Sequence, residues 1–159
     1  MEEREKWIGL FCARLFEENN IRFIQELQKH CQRENYRIMI FSLDTCVEED
    51  TENVPAELEL IRLSQYISLD AGIILAESIK NYVLLEHIAR IMHVKEVPCF
   101  CIERQIEGCY CLFHTEETGF EPMVRHVIQD HGARKINMLA GLKNNLYSQM
   151  RIEQYKKVL

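Results

Sequence analysis

The sequence predicts an α/β fold, a three-layer domain with a mainly parallel sheet and helices on both faces. Three observations predict it. Short apolar runs recur along the chain without the polar alternation of a half-exposed strand, as in strands covered on both faces. Between them lie stretches whose apolar residues fall at helical spacing. The two kinds alternate, which gives right-handed crossovers and a parallel sheet. With 159 residues, 47% of them hydrophobic, the chain suits one domain with a substantial core.

Residues 7–13 (WIGLFCA) form the first strand and residues 14–20 a polar loop. A helix over residues 21–31 follows, with Ile21, Ile24, Leu27 and Cys31 on its buried face and Asn19 or Asn20 as N-cap. Residues 36–43 (YRIMIFSL) are the second strand. After the acidic stretch 44–53, Pro55 opens a helix carrying Leu58, Ile61, Leu63 and Ile67. Residues 69–76 (LDAGIILA) are the third strand. A helix over 78–94 presents Val83, Leu84, His87, Ile88 and Ile91. Residues 97–102 (VPCFCI) are the fourth strand, with Pro98 near its start. Gly108 turns the chain into a short fifth strand, 109–113. A helix over 119–131 buries Phe120, Met123, Val124, Val127 and Ile128, and Gly132 stands at its C′ position. A last strand at 136–140 and a helix starting near Ser148 complete the pattern.

The net charge of −6 and pI near 5.6 argue against a phosphate-binding surface, which needs clustered Lys and Arg. No apolar run approaches the roughly 20 residues that span a bilayer, and the acidic start MEERE lacks the positive region of a signal peptide. A cytoplasmic protein is expected. Seven cysteines, mostly in strand-like runs, read as reduced, buried thiols rather than a disulfide framework.

In such sheets ligands bind beyond the carboxyl ends of the strands, where the strand order reverses. That nominates residues 14–20, 43–45, 77–78, 103–105, 114–118 and 142–148. Sharper motifs find little support. The pairs Cys99/Cys101 and Cys109/Cys111 lack the turn spacing of structural zinc. The histidines form no H-x-x-x-H or H-E-x-x-H arrangement, Ser42, Ser78 and Ser148 sit in no G-x-S-x-G elbow, and no G-x-G-x-x-G follows the first strand. The run Glu48, Glu49, Asp50 and Glu52 reads as a solvated loop. A phosphoacceptor receiver would need an Asp at the end of the third strand, where Glu77 stands.

The segments IGLF at 8–11, YRIMIFSLDT at 36–45, LDAGIIL at 69–75, VPCFCIER at 97–104 and HGARKINMLAG at 131–141 run in an order and spacing similar to one family. Ser148, Arg151, Tyr155 and Leu159 follow in its closing pattern. The chain resembles the amino-terminal lobe of lactose-repressor-like sensor domains, which share the Rossmann-like type I periplasmic-binding-protein fold. The resemblance implies a non-catalytic sensor that binds a small polar ligand between two lobes. Asp44, Arg104 and Arg151 stand at the family's cleft-facing polar positions, and His114, Thr115 and Ser148 lie in strand-end loops beside them. A guanidinium suits paired hydroxyls or a carboxylate through its fixed fork of donors. Departures are Glu103 for the usual Asp, Thr115 and Glu116 for "D-N", Gln154 for glycine, and a first loop without "S-N-P-F".

The expectation is thus a single lobe over residues 1–159, with the second lobe and an output domain lying beyond it. Met1 so close to the first strand leaves no room for a DNA-binding headpiece, and similar sensors precede a GGDEF diguanylate cyclase. The expected partners are a small-molecule ligand and a second copy in a homodimer, with no cofactor, metal, membrane or direct nucleic-acid contact. Two alternatives stay open: a degenerate lobe kept as a dimerisation module, and the effector domain of a sugar-responsive transcriptional regulator.

Overall fold

The first strand sits at the heart of the sheet because its residues 10–13 can be covered on both sides: Leu10, Phe11, Cys12 and Ala13 are all fully buried. The computed structural model describes residues 4–44, 52, 54–113, 119–141 and 146–159. The chain divides into two units, Met1–Phe113 and His114–Leu159.

In the first unit, β1 (Lys6–Ala13), α1 (Glu18–Arg33), β2 (Tyr36–Leu43), α2 (Val54–Arg62), β3 (Ala71–Leu75), α3 (Ala76–Ile79), α4 (Tyr82–Val94), β4 (Cys99–Ile102) and β5 (Tyr110–Leu112) follow in turn. The five strands form one parallel sheet in the order β2-β1-β3-β4-β5. Period-2 geometry sends Leu10 and Cys12 to one face, where they pack with Leu75 and with Phe23, Ile24 and Leu27 of α1. Phe11 and Ala13 go to the other, with Ile61 of α2 and Leu84, Leu85 and Ile88 of α4. Phe11 stacks on Phe41 with ring centroids 4.7 Å apart. The β4–β5 connection has no helix. Ile106, 2% exposed, anchors that loop in the core.

Several boundaries differ from expectation for identifiable reasons. Helix α1 starts at Glu18, with Glu17 as an N-cap lacking a side-chain cap, because Asn20 turns its amide back to the end of β1. After Arg62 the chain tightens into a 3-10 turn, Leu63–Tyr66, and the changed period leaves Leu63 exposed. Lys95 caps that turn, its Nζ donating to Ser64 O at 2.8 Å, Gln65 O at 3.1 Å and Ile67 O. The helix expected over 78–94 breaks at Lys80, whose φ of 58° is left-handed, and restarts where Asn81 Oδ1 accepts the Leu84 N–H. Val83 is consequently exposed while Leu84, Leu85, Ile88 and Ile91 are buried.

The second unit contains α5 (Phe120–Gln129) and α6 (Leu146–Val158). The expected strand at 136–140 does not form: residues 132–141 join no sheet. Its run INMLA has one β-branched residue, followed by Asn137, a weak strand former. Tyr155 Oη instead donates to Ile136 O at 2.6 Å. Met123, expected inside, is exposed, and Val124 is the buried residue of α5.

His87 of α4 is half-buried, and its Nε2 has no hydrogen-bond partner among the described residues. Burial, aided by the nearby Arg62 and Arg90, pushes its imidazole below the ordinary value of 6.5. The folded state therefore holds it neutral while the unfolded chain takes up a proton, so this contribution to stability is present above about pH 6.5 and is lost on acidification through the folded value. Replacing His87 with leucine is expected to raise stability by about 1 kcal/mol. It should also flatten the loss of stability below pH 6.5, measurable by urea titration across pH.

Candidate functional site

The strand order reverses between β1 and β3: the chain leaves β1 for β2 on one side and returns past it to β3 on the other. At that point the carboxyl ends of both strands need backbone partners that no further strand supplies. Ser78 bridges them. Its Oγ accepts the Ala13 N–H at 3.0 Å and donates to Leu75 O at 2.7 Å. Asn20, 8% exposed, donates to Ala13 O at 2.9 Å and Arg14 O at 3.0 Å. Arg14 N–H reaches Leu43 O at 3.2 Å, tying in the end of β2.

Three non-glycine residues at this edge are left-handed: Arg14 at φ 50°, Lys80 at 58° and Glu103 at 67°. They follow β1, β3 with its short α3, and β4. Such conformations cost of order 1 kcal/mol each and tend to gather at functional sites. Their polar side chains and neighbours are held in turn. Arg14 Nη1 pairs with Glu17 Oε1 at 2.9 Å. Arg104 reaches back from β4, with Nη1 donating to Lys80 O at 3.3 Å and Nη2 lying 4.0 Å from Glu77 Oε1. Its side chain is 18% exposed, so the guanidinium is fixed with one edge toward solvent.

Asp44 stands at the end of β2, its N–H donating to Glu57 Oε1 at 2.5 Å. Glu57 is 7% exposed. It was not among the expected site residues, although its place four residues before Ile61 puts it on the inward stripe of α2. Phe16, 85% exposed in the first loop, is a second addition. A bulky ring in a polar loop is the signal that could have marked it.

The structure thus gathers Asp44 and Arg104 at one sheet edge of the first unit. Ser148 and Arg151 belong to the second unit and lie one helical turn apart on α6. There they line a 450 Å³ cavity with Val124, Ile136, Met138 and Tyr155. His114 and Thr115 lie outside the described residues. Both hydrogen-bonding directions of the Ser78 hydroxyl are used by backbone, so it is a brace rather than a nucleophile. Guanidinium forks, carboxylates and an exposed ring suit the binding of a polar, hydroxyl-bearing molecule. Among the described residues, no helix is long and apolar enough to cross a membrane.

No family model and no curated protein matches the sequence. Solved structures do match. The lac repressor bound to ONPG in the repressed state has a TM-score of 0.65 at 14% identity over 99% of this chain and 45% of its own. An ABC sugar transporter subunit from Rhodobacter sphaeroides 2.4.1 has a TM-score of 0.62 at 14% identity over 97% of this chain and 52% of its own. The lac repressor dimer bound to operator and the anti-inducer ONPF has a TM-score of 0.61 at 14% identity over 99% and 52%. The chain spans about half the length of these structures. The likeness establishes the periplasmic-binding-protein-like α/β fold.

If the left-handed turns are held by their surroundings, relieving one should stabilise the chain. Lys80→Gly is expected to raise stability by about 1 kcal/mol, read as a rise in urea midpoint without a change in slope.

Proposed function

We propose that this chain is a non-catalytic ligand-sensing lobe whose strand-end edge binds a small, polar, hydroxyl-bearing molecule of the sugar class. The single observation that carries the reading is the braced edge at the strand-order reversal. There, three left-handed residues follow strand ends, and Arg104, next to one of them, is pinned by Lys80 O and Glu77. Binding energy is greatest where donors are fixed before the ligand arrives. The structural neighbours support the ligand class: lac repressors bound to ONPG or ONPF and a sugar transporter subunit.

In this reading Asp44 and Arg104 are ligand contacts of the first unit and Ser148 and Arg151 ligand contacts of the second, and His114 and Thr115 are proposed as ligand contacts too. The chain acts as a homodimer in the cytoplasm without touching nucleic acid itself. Ligand-driven closure is passed to a carboxyl-terminal output domain, a GGDEF diguanylate cyclase being the proposed one. The coding sequence after Leu159 tests that last element: a second lobe followed by such a module supports it, and a stop codon overturns it.

The binding claim is tested by thermal shift against sugars, nucleosides and small acids. A ligand at 100 times its Kd adds about 2.7 kcal/mol, which moves Tm by roughly 6 °C for a chain of this size. Arg104→Ala should abolish that shift while leaving the ligand-free Tm nearly unchanged. An undiminished response in the variant would remove Arg104 from the site, and no response from the parent chain to any class would count for the dimerisation module instead.

A further inference from the structure

Four cysteines meet on one face of the β4–β5 ribbon. Cys101 and Cys111 are register partners, and the same register carried back one step from Phe100 and Tyr110 sets Cys99 opposite Cys109. All four contact the same core, with Cys99 and Cys101 at 2% and 0% exposure and Cys109 and Cys111 half-buried. Neighbouring strands lie about 4.8 Å apart, inside the roughly 4.4–6.8 Å window of Cα separations that a disulfide bridges. No group of three or more His, Cys, Asp or Glu among the described residues is placed to hold a metal ion. The array therefore divides into pairs.

The two pairs differ. Cys111 Sγ donates toward Cys109 O at 3.5 Å and Ile106 O at 3.8 Å, and it accepts the Ile106 N–H at 3.5 Å. Its partner Cys101 is fully buried, and burial pushes its thiol up to about 12. In the other pair the Cys99 thiol donates to Cys109, holding Cys109 below its ordinary value and, together with burial, Cys99 above. Cys99 packs over bare backbone: a Cβ on Gly72 would lie 3.4 Å from its sulfur. A half-buried cysteine whose thiol is more acidic than usual, with a buried thiol aimed at it, is the arrangement of an attacking and a resolving cysteine.

We propose that Cys109 and Cys99 are a peroxide-responsive redox pair. The Cys109 thiolate attacks one oxygen of a hydroperoxide. An S–O bond forms, the O–O bond breaks, and the leaving oxygen takes a proton and departs as water or alcohol. Sulfur is oxidised by two electrons to the sulfenic acid as the peroxide is reduced. The Cys99 sulfur then attacks Cys109, forming the S–S bond. The S–O bond breaks, and hydroxide leaves as water with the proton lost from Cys99. The bond ties β4 to the start of β5 across the connection that begins with Glu103 and Arg104, so oxidation state is written beside the sheet edge described above. The pair stands independently of what that edge binds.

The test is oxidation of the whole chain with one equivalent of hydrogen peroxide, alkylation of remaining thiols, and non-reducing peptide mapping. A single intramolecular link between the peptides holding residues 99 and 109, reversed by dithiothreitol, is expected. It should persist in Cys111→Ser and disappear in Cys109→Ser, a change at a half-buried position. In a Cys99→Ala variant, dimedone should label Cys109; if that variant does not fold, the Cys109→Ser and Cys111→Ser comparison decides alone. A link that survives Cys109→Ser, a link only between chains, or direct oxidation of Cys109 to sulfinic acid without any link would overturn the proposal.

Discussion

The backbone at the end of β1 must find hydrogen-bond partners at the one place where the sheet stops offering them. Within the sheet, β1 pairs with β2 and β3 on its two sides. At Ala13 the strand ends while still fully buried, and an unpaired buried N–H or C=O costs about as much as a lost hydrogen bond. Ser78, Asn20 and the Leu43 carbonyl meet that need. Each comes from a different segment, so one local requirement draws together the ends of β1, β2 and β3. Arg14 takes a left-handed φ of 50° within this arrangement.

The same logic governs the rest of the edge. Lys80 and Glu103 are held in conformations disfavoured for side chains with a Cβ, and both are tied by backbone bonds, Lys80 N–H to Ala76 O at 2.9 Å and Glu103 N–H to Leu112 O at 2.8 Å. Arg104 then spans from one turn to the other. Away from the edge, the two faces of β1 fill separate apolar clusters, and the Lys95 ammonium group takes the carbonyls of Ser64, Gln65 and Ile67 in and just after the 3-10 turn.

The candidate site was partly legible. Arg104 and Asp44 were nominated by position at strand ends, and both stand there. Glu57, Asn20 and Ser78 were not nominated as the braces they are, because their roles depend on backbone groups up to 65 residues away. Asn20 illustrates the difficulty. Next to a helix start it reads as an N-cap, yet its amide turns back to the Ala13 and Arg14 carbonyls at the end of β1. The cysteines show the same limit, for spacing marked two pairs along the chain whereas register pairs them across it.

The sequence by itself determined the strand-and-helix alternation and the parallel sheet. These rest on apolar periodicity, a property each segment carries alone. Tertiary structure decided the left-handed turns, the break at Lys80, the absence of a strand at 136–140 and the sharing of one edge by Asp44, Arg14, Ser78 and Arg104. Each of those depends on whether a backbone group or side chain meets a distant partner. Such partners exist only once the strand order places them side by side.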